Sequence, residues 1–415
     1  MEELLSPYRV LDLTDEKGML CGKILAHMGA DVIKCEPPEG DPARRLGPFY
    51  KDIPDPEKSL FWFDSNVNKR GITLNLEIED GRKIFHELVK RIDVIIESYA
   101  PGHMKSLGLG YKELSTLNPR LIMTSITPFG QEGPKAHYKT TELTRWASTG
   151  VMYCAGEPDR APNWVTVPQA RVHAGLEGTF ASLVALHYRE RTGEGQHIDV
   201  SIQASTLDAL LDTPEIWQIL GRDYMRQGIA DFVTKVIQKY GLPCKDGWVA
   251  FYTLGGGLLA SAEHLGRVRD WMKEEGMAPE WFMKMDFVRD YGSAVIDQEF
   301  VNRVEDVLEA FVKTKTKAEL YERALKHRLI IAPIQDAKEV WEDKQLEARG
   351  FWTELEHEEM NDNIPYPGFP ALFGETPMRL KRPAPRIGEH NEEIYMGELS
   401  IPKEKLVFLK EIGAI

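Results

Sequence analysis

The sequence predicts an α/β fold in which a large domain with a mostly parallel sheet is joined to a smaller α+β domain. Short apolar runs alternate with helical patterns through the first half of the chain, which is typical of a parallel sheet with helices on both faces. A length of 415 residues exceeds what one ordinary hydrophobic core organises, so we expect two domains.

The large domain is predicted from a regular order of strands and helices. Strands are predicted from the apolar runs RVLDLT (9–14), ADVIKCE (30–36), GITLNLE (71–77), DVIIES (93–98), RLIMTSI (120–126) and HIDVSI (197–202). Helices are predicted at residues 18–29 and 80–92. This order indicates a Rossmann-like domain, but the fingerprint G-x-G-x-x-G is missing after the first strand, so NAD is not implied.

A long helix after His173 carries two apolar faces. One face has the large side chains of Leu176, Phe180, Leu183 and Val184, and the other has the small ones of Gly178, Ala181 and Ala185. Because a helix that is apolar on two sides needs cover on both, we expect it to be buried between two layers.

The composition of the chain changes near residue 228. Residues 228–333 are predicted as the small domain, with a strand-like run, several helical patterns and the consecutive glycines Gly255, Gly256 and Gly257. Such glycines allow close backbone approach to a ligand, although a plain loop has the same composition. The large domain is predicted to comprise residues 1–227 and 334–415, with its proline-rich end running as an extended arm over the surface or a partner.

Composition argues against several function classes. A formal net charge of −14 is unsuited to non-specific nucleic-acid binding, which requires a basic face. The four cysteines are widely spaced without a C-x-x-C pair, so we expect neither a disulfide framework nor a metal site. We predict a cytoplasmic protein without membrane contact, because the sequence shows no signal-peptide pattern and no apolar stretch long enough to span a bilayer.

Residue chemistry alone offers weak candidates for a site. His173 and Glu177 lie one helical turn apart, as a base and a carboxylate would, but a histidine near a helix start is more often a capping or packing residue. Arg44 and Arg45 precede a Gly-Pro turn, where they suit phosphate contacts and a solvated charge pair equally well.

Seven segments carry a resemblance through their order along the chain. They are VLDLTDEKGMLCGKILAHMGADVIKCEPPEGDPARR, NKRGITLNLE, DVIIESYAPGHMKSLGLGY, NPRLIMTSITPFGQEGP, RTGEGQHIDVSI, DAKEVWEDKQLEARGF and GEHNEEI. Together they resemble the family III CoA-transferases of the CaiB/BaiF type, over essentially the whole chain. The resemblance implies a dimer of two interlocked ring-shaped chains, with coenzyme A as a substrate and no bound cofactor.

In that family an aspartate before the long helix attacks the acyl-CoA thioester, and the glycines of the small domain close over the intermediates. A carboxylate suits this chemistry because its acyl and CoA adducts stay activated. The aspartate lies four residues before a helix glycine, and counting back from Gly175 gives Arg171. Arginine has no nucleophilic oxygen and stays protonated, so Arg171 cannot form the anhydride.

The resemblance implies a set of CoA contacts that is only partly kept. If CoA binding is retained, it is assigned to Leu74, Ser98, Tyr99, Lys105, Lys139, Glu142, Arg45 and the three glycines. Of these, Leu74, Lys139 and Glu142 match the family, whereas Ser98 and Tyr99 replace an Asn–aromatic pair. Four further residues also depart from the family, namely the pair Glu16 and Lys17, then Ser106, and Glu77. We expect the carboxylate of Glu16 to repel a phosphate.

Several interpretations of Arg171 stay open. In the first interpretation, the chain is the subunit without the nucleophile in a hetero-oligomer whose sister subunit carries the aspartate. In the second, the chain is a homomeric transferase or isomerase that uses another carboxylate, such as Glu177. A CoA-binding module without turnover is a further alternative. A shifted register would also explain Arg171, but no aspartate lies between Gln169 and Glu177. The first interpretation is favoured because the nucleophile and several CoA contacts are lost together while the scaffold motifs are kept.

Overall fold

The computed structural model describes residues 3–157, 159–164, 167–208, 213–221, 226, 236–252, 258–287 and 297–415. The chain divides into two compact units. The first comprises Met1–Met152, Trp164–Leu220 and Glu347–Ile415, and the second comprises Tyr153–Asn163 and Gly221–Leu346. The second unit includes residues 153–163, 221–227 and 334–346, which were predicted from the sequence to belong to the large domain.

The first unit is built on a six-stranded sheet in the order β3-β2-β1-β4-β5-β6. Its strands are β1 (Arg9–Leu13), β2 (Asp31–Glu36), β3 (Arg70–Thr73), β4 (Val94–Glu97), β5 (Ile122–Thr127) and β6 (His197–Ser201). Every pairing between them is parallel, so the predicted α/β fold is confirmed. The strand order reverses between β1 and β4, the place where open α/β sheets commonly bind ligands.

Helices cover both faces of this sheet. The helices in this part of the chain are α1 (Met19–His27), α2 (Leu60–Asn66), α3 (Glu79–Val89), α4 (His103–Ser106), α5 (Tyr111–Leu117), α6 (Glu142–Thr149), α7 (Val151–Cys154), α8 (Gln169–Thr192), α9 (Ile202–Leu207) and α10 (Thr213–Leu220), of which α7 ends in the second unit. Successive strand residues point to opposite faces, so Leu11 and Val10 belong to two different core clusters. Burial on both faces explains why the strands are near-continuous apolar runs.

Helix α8 is buried on one side only. Its small residues permit close packing, because a Cβ added to Gly175 would lie 2.8 Å from Leu20 Cβ and one added to Gly178 would lie 2.9 Å from Ile126 Cδ1. The large apolar side chains are exposed instead, at 51% for Leu176, 64% for Phe180, 51% for Val184 and 46% for Tyr188. We call these four residues the exposed row. The prediction of burial between two layers is wrong for this chain alone, because no described residue of the chain covers the row.

The second unit contains a three-stranded antiparallel sheet in the order β7-β8-β9, made of β7 (Gly241–Cys244), β8 (Gly247–Phe251) and β9 (Ile331–Ile334). Among its described residues, five helices lie wholly in this unit and a sixth, α16, ends beyond it: α11 (Leu258–Glu274), α12 (Glu280–Met283), α13 (Gln298–Val312), α14 (Lys317–His327), α15 (Ala337–Trp341) and α16 (Lys344–Ala348). Leu265, Leu308 and Val249 are fully buried in its core. The glycines predicted at 255–257 lie outside the described residues.

The C-terminal segment packs along the β3 edge of the first unit. It forms the hairpin β10 (Trp352–His357) and β11 (Asp362–Pro367), then a largely irregular stretch, and ends with α17 (Lys403–Glu411). The N–H of His390 donates to the carbonyl of Gly71 at 2.9 Å, and Arg70 pairs with Glu393 at 2.7 Å. Among the described helices, none has the length and apolar character needed to cross a membrane.

Candidate functional site

Arg171 lies in the first turn of α8, against the aromatic ring of Phe61 on α2. Its guanidinium carbon is 4.4 Å from the ring centroid, a cation–π geometry. Within the described residues the guanidinium has neither a hydrogen bond nor an ion pair. Burial lowers the pKa of Arg171 below its usual value, but an arginine in a protein stays charged. The five N–H donors of Arg171 are therefore available to an anion.

A buried arginine on α6 joins the carboxylates nearest to Arg171. Arg145 is 3% exposed and donates to Glu16 at 2.6 and 3.2 Å and to Glu142 at 3.1 Å. The second oxygen of Glu142 accepts the N–H of Ala170 at 3.1 Å, which satisfies one of the free donors that begin α8. Because Arg145 pairs with Glu16, it reduces the repulsion that we expect between the Glu16 carboxylate and a phosphate.

A cavity of about 120 Å³ opens beside the Arg171 guanidinium. Its walls include Phe61 and the apolar side chains of Met19 and Leu20. Lys23 and Asp64 also line it, and they pair with each other at 2.6 Å. The lining carboxylates Asp64 and Glu16 thus each have a basic partner, whereas the Arg171 guanidinium has no acidic partner in the part of the chain that the structure describes.

Three of the predicted CoA contacts lie just beyond the ends of two strands, Leu74 after β3 and Ser98 and Tyr99 after β4. The Leu74 side chain is 3% exposed and belongs to the core, so only its backbone is able to meet a ligand. Ser98 donates to the Asp15 carboxylate at 2.8 Å and accepts the Asp15 N–H at 2.9 Å, which holds the turn between β1 and α1. Tyr99 packs against the His103 ring at 4.8 Å, and burial raises the pKa of its phenol.

The remaining predicted contacts differ in exposure. Lys105, Lys139 and Arg45 are exposed, and Glu177 is half-buried on α8. Arg44, by contrast, is 1% exposed, binds Glu36 at 2.7 and 2.8 Å, and stacks 3.8 Å from the centroid of Trp62. Arg44 is thus held inside the protein and is not available for a phosphate.

A second cavity, of about 510 Å³, contains a polar cluster that the sequence analysis missed. Ser125 Oγ lies 2.9 Å from His197 Nε2, and Glu97 is paired in register with Ser125 on the adjacent strand. Burial raises the pKa of Glu97 to about 7, and burial lowers the pKa of His197. Lys105 on α4 and Tyr111 on α5 also line this cavity. The only sequence signal was a polar residue near the end of each apolar run.

Comparisons with known proteins identify relatives along the whole chain. The family model described as CoA-transferase family III matches residues 5–391. The chain is 34% identical to the succinyl-CoA:(R)-benzylsuccinate CoA-transferase subunit BbsE of Thauera aromatica, over 100% of this chain and 99% of that protein. It is 30% identical to the succinyl-CoA–L-malate CoA-transferase beta subunit of Chloroflexus aurantiacus, over 97% and 96% of the two chains. The crystal structure of a CAIB/BAIF family protein from Brucella suis superposes with a TM-score of 0.79 at 27% identity, over 96% of this chain and 100% of that one.

Proposed function

Because the chain belongs to CoA-transferase family III, we propose that it is the subunit without the nucleophile in a hetero-oligomeric CoA-transferase, and that a homologous sister subunit supplies the aspartate. The observation that carries the proposal is the identity of residue 171, which is an arginine. It stands where the family pattern places the nucleophile, and residues 161–176 contain no aspartate or glutamate.

The carboxylates around Arg171 are poor substitutes for the missing aspartate. Glu16 and Glu142 are held by Arg145, and Asp64 is paired with Lys23. A carboxylate nucleophile has to be free to attack a thioester carbonyl, and leaving a cation partner opposes that step.

Glu177 does not replace Arg171 in position either. Six residues along an α-helix correspond to a rise of about 9 Å and a rotation of about 600°, so the two side chains leave α8 in different directions. This geometry disfavours the homomeric alternative in which Glu177 takes over the reaction.

The relatives indicate the substrates. Relatives named for succinyl-CoA transfer to benzylsuccinate and to L-malate are subunits, so unequal subunits occur among the proteins that this chain resembles. Among two-subunit members, the sequence resembles the benzylsuccinate type, which acts in anaerobic toluene breakdown, at 34% identity. We therefore propose succinyl-CoA as the donor and an organic acid such as benzylsuccinate as the acceptor.

In this proposal the sister's aspartate attacks the donor carbonyl, and CoA thiolate leaves to give a mixed anhydride. The thiolate then attacks the aspartyl carbonyl, releasing succinate and leaving an enzyme thioester. The acceptor carboxylate attacks that thioester, CoA leaves again, and its thiolate takes the acceptor's acyl group while the aspartate is regenerated. No step consumes water, and the present chain serves as the second half of the interlocked assembly.

The exposed row on α8 supports association with such a sister. Four large apolar side chains, spaced four residues apart, form one continuous strip on the helix, and contiguous apolar surface of this kind marks protein–protein contacts. Trp217 and Ile219 on α10 are also exposed, at 57% and 78%.

A CoA-transfer assay tests the proposal. The purified chain is supplied with succinyl-CoA and benzylsuccinate, first alone and then co-expressed with an Asp-bearing sister. Activity is expected only in the mixture, and it should disappear when the sister's aspartate is changed to asparagine. Turnover by the chain alone that is lost in Glu177→Gln would establish the homomeric alternative. If the chain converts a single acyl-CoA without a second acid, it is an isomerase. If it binds CoA but the mixture with the sister shows no turnover, it is a binding module.

A further inference from the structure

The 120 Å³ cavity beside Arg171 combines an available cation with apolar walls. The guanidinium is bounded on one side by the Phe61 ring, and Met19 and Leu20 complete the apolar lining. A guanidinium presents its donors as a planar fork that matches a carboxylate with two parallel hydrogen bonds.

The other charged residues around the cavity are already paired, so Arg171 is the cation that an incoming anion would meet. Arg145 is shared between Glu16 and Glu142, and Lys23 is bound to Asp64. Each of these charges already has a partner of opposite sign in contact, so its field inside the cavity is reduced. The Arg171 charge has no such contact among the described residues.

The size of the cavity restricts what enters it. A cavity of about 150 Å³ holds benzene, so about 120 Å³ admits a group of roughly five heavy atoms. A carboxylate with one or two attached carbons fits this space, whereas a nucleotide or a helix from another protein does not. The apolar walls suit the carbons, and the guanidinium suits the two oxygens.

We propose that this cavity binds the carboxylate end of a small organic acid, with Arg171 as its bidentate donor and Phe61 holding the guanidinium in place. The substitution that removes the family nucleophile would then have created an acid-binding site at the same position. The identification of the acid as succinate or the acceptor rests on the proposed function, but the binding of a carboxylate does not.

Calorimetric titration of the full chain with sodium succinate at constant ionic strength tests the proposal. Succinate is expected to bind, and neutral succinamide is not. Arg171→Gln is expected to weaken succinate binding at least about tenfold, because it removes two charge-assisted hydrogen bonds. The affinity of Arg171→Lys for succinate should lie between those of the wild type and Arg171→Gln, since lysine keeps the charge but not the planar fork of donors. Arg191→Gln, at an exposed arginine near the other end of α8, is the matched control and should bind like the wild type.

Three results would overturn the proposal: no succinate binding by the wild type, equal binding of succinamide, or unchanged binding by Arg171→Gln. Circular dichroism establishes that the variants are folded, and Phe61→Leu adds a variant that keeps the cation and is expected to retain part of the affinity. Loss of sister association in Arg171→Gln with intact succinate binding would instead assign Arg171 to a subunit contact.

The outcome is separable from that of the transfer assay. A chain that binds succinate through Arg171 but turns over without a sister contradicts the proposed function and leaves the acid site standing. A chain that needs the sister but binds no succinate contradicts the acid site alone.

Discussion

The guanidinium of Arg145 donates to both carboxylate oxygens of Glu16, at 2.6 and 3.2 Å, although 129 positions separate the two residues in the sequence. This contact joins the turn after β1 to α6. Arg145 also donates to Glu142, and Glu142 accepts the N–H of Ala170 in the first turn of α8. An ion group formed by two distant segments around the buried Arg145 is thus hydrogen-bonded to the start of the helix that carries Arg171.

Arg145→Met is expected to destabilise the protein by about 1–3 kcal/mol, because the partly buried carboxylates of Glu16 and Glu142 lose the cation that they share. Urea unfolding followed by tryptophan fluorescence measures the loss.

The matched control for Arg145→Met is Arg120→Met, which removes an exposed arginine paired with Glu190 at 3.0 Å. Exposed ion pairs contribute little, so this change should cost less than about 1 kcal/mol. Adding Glu16→Gln to Arg145→Met should recover part of the stability, since it removes an uncompensated charge. Equal losses in the two arginine variants would contradict the structural role of Arg145.

The sequence predicted the sheet of the first unit well but only part of the site. Near-continuous apolar runs identified the strands, because a parallel sheet is buried on both faces. The apolar faces of α8 were also visible, but periodicity does not say whether another chain covers Phe180. The pairing of Glu16 was missed because its partner Arg145 is far away in the sequence. Ser125 and His197 were missed because their contact depends on β5 and β6 being neighbours, which no local pattern reveals.

Because of the Glu97 carboxyl, the free energy of unfolding is expected to fall as the pH rises from about 5 to 7. Burial raises its pKa from the usual 4.5 to about 7, so the folded chain holds a proton that the unfolded chain releases over this interval. Stability therefore declines with pH by about 3 kcal/mol in total and is level above the folded pKa. Glu97→Gln should remove this decline, so its stability relative to the wild type should rise between pH 5 and pH 8.

Thermal unfolding at pH 5, 6, 7 and 8 gives that difference directly. Glu113→Gln, at an exposed carboxylate on the wall of the same cavity, is the control and should follow the wild type at every pH. A constant difference between wild type and Glu97→Gln across the series would show that Glu97 does not titrate in this interval.

Two glycine-to-alanine changes are expected to have opposite effects. A Cβ on Gly195 would lie 1.9 Å from the backbone oxygen of Leu121, so Gly195→Ala forces β5 and β6 apart and should cost about 2–3 kcal/mol or more. Gly266 lies inside α11 with nothing within 4 Å of an added Cβ. Gly266→Ala should stabilise the protein by up to about 1 kcal/mol, because alanine favours a helix. Melting temperatures compare the three proteins, and a destabilised Gly266→Ala would contradict the open space at that position.

Phe180→Asp is expected to abolish association with the sister subunit without unfolding the chain. The side chain is 64% exposed in the middle of the exposed row, so an aspartate is tolerated in the free chain, whereas burial of its charge against a partner is unfavourable. Co-purification of a tagged sister measures association, and the melting temperature of the free chain measures folding. Leu325→Asp, at a 66% exposed leucine on α14, is the matched control and should leave both unchanged. Normal co-purification of Phe180→Asp would exclude the exposed row from the subunit contact.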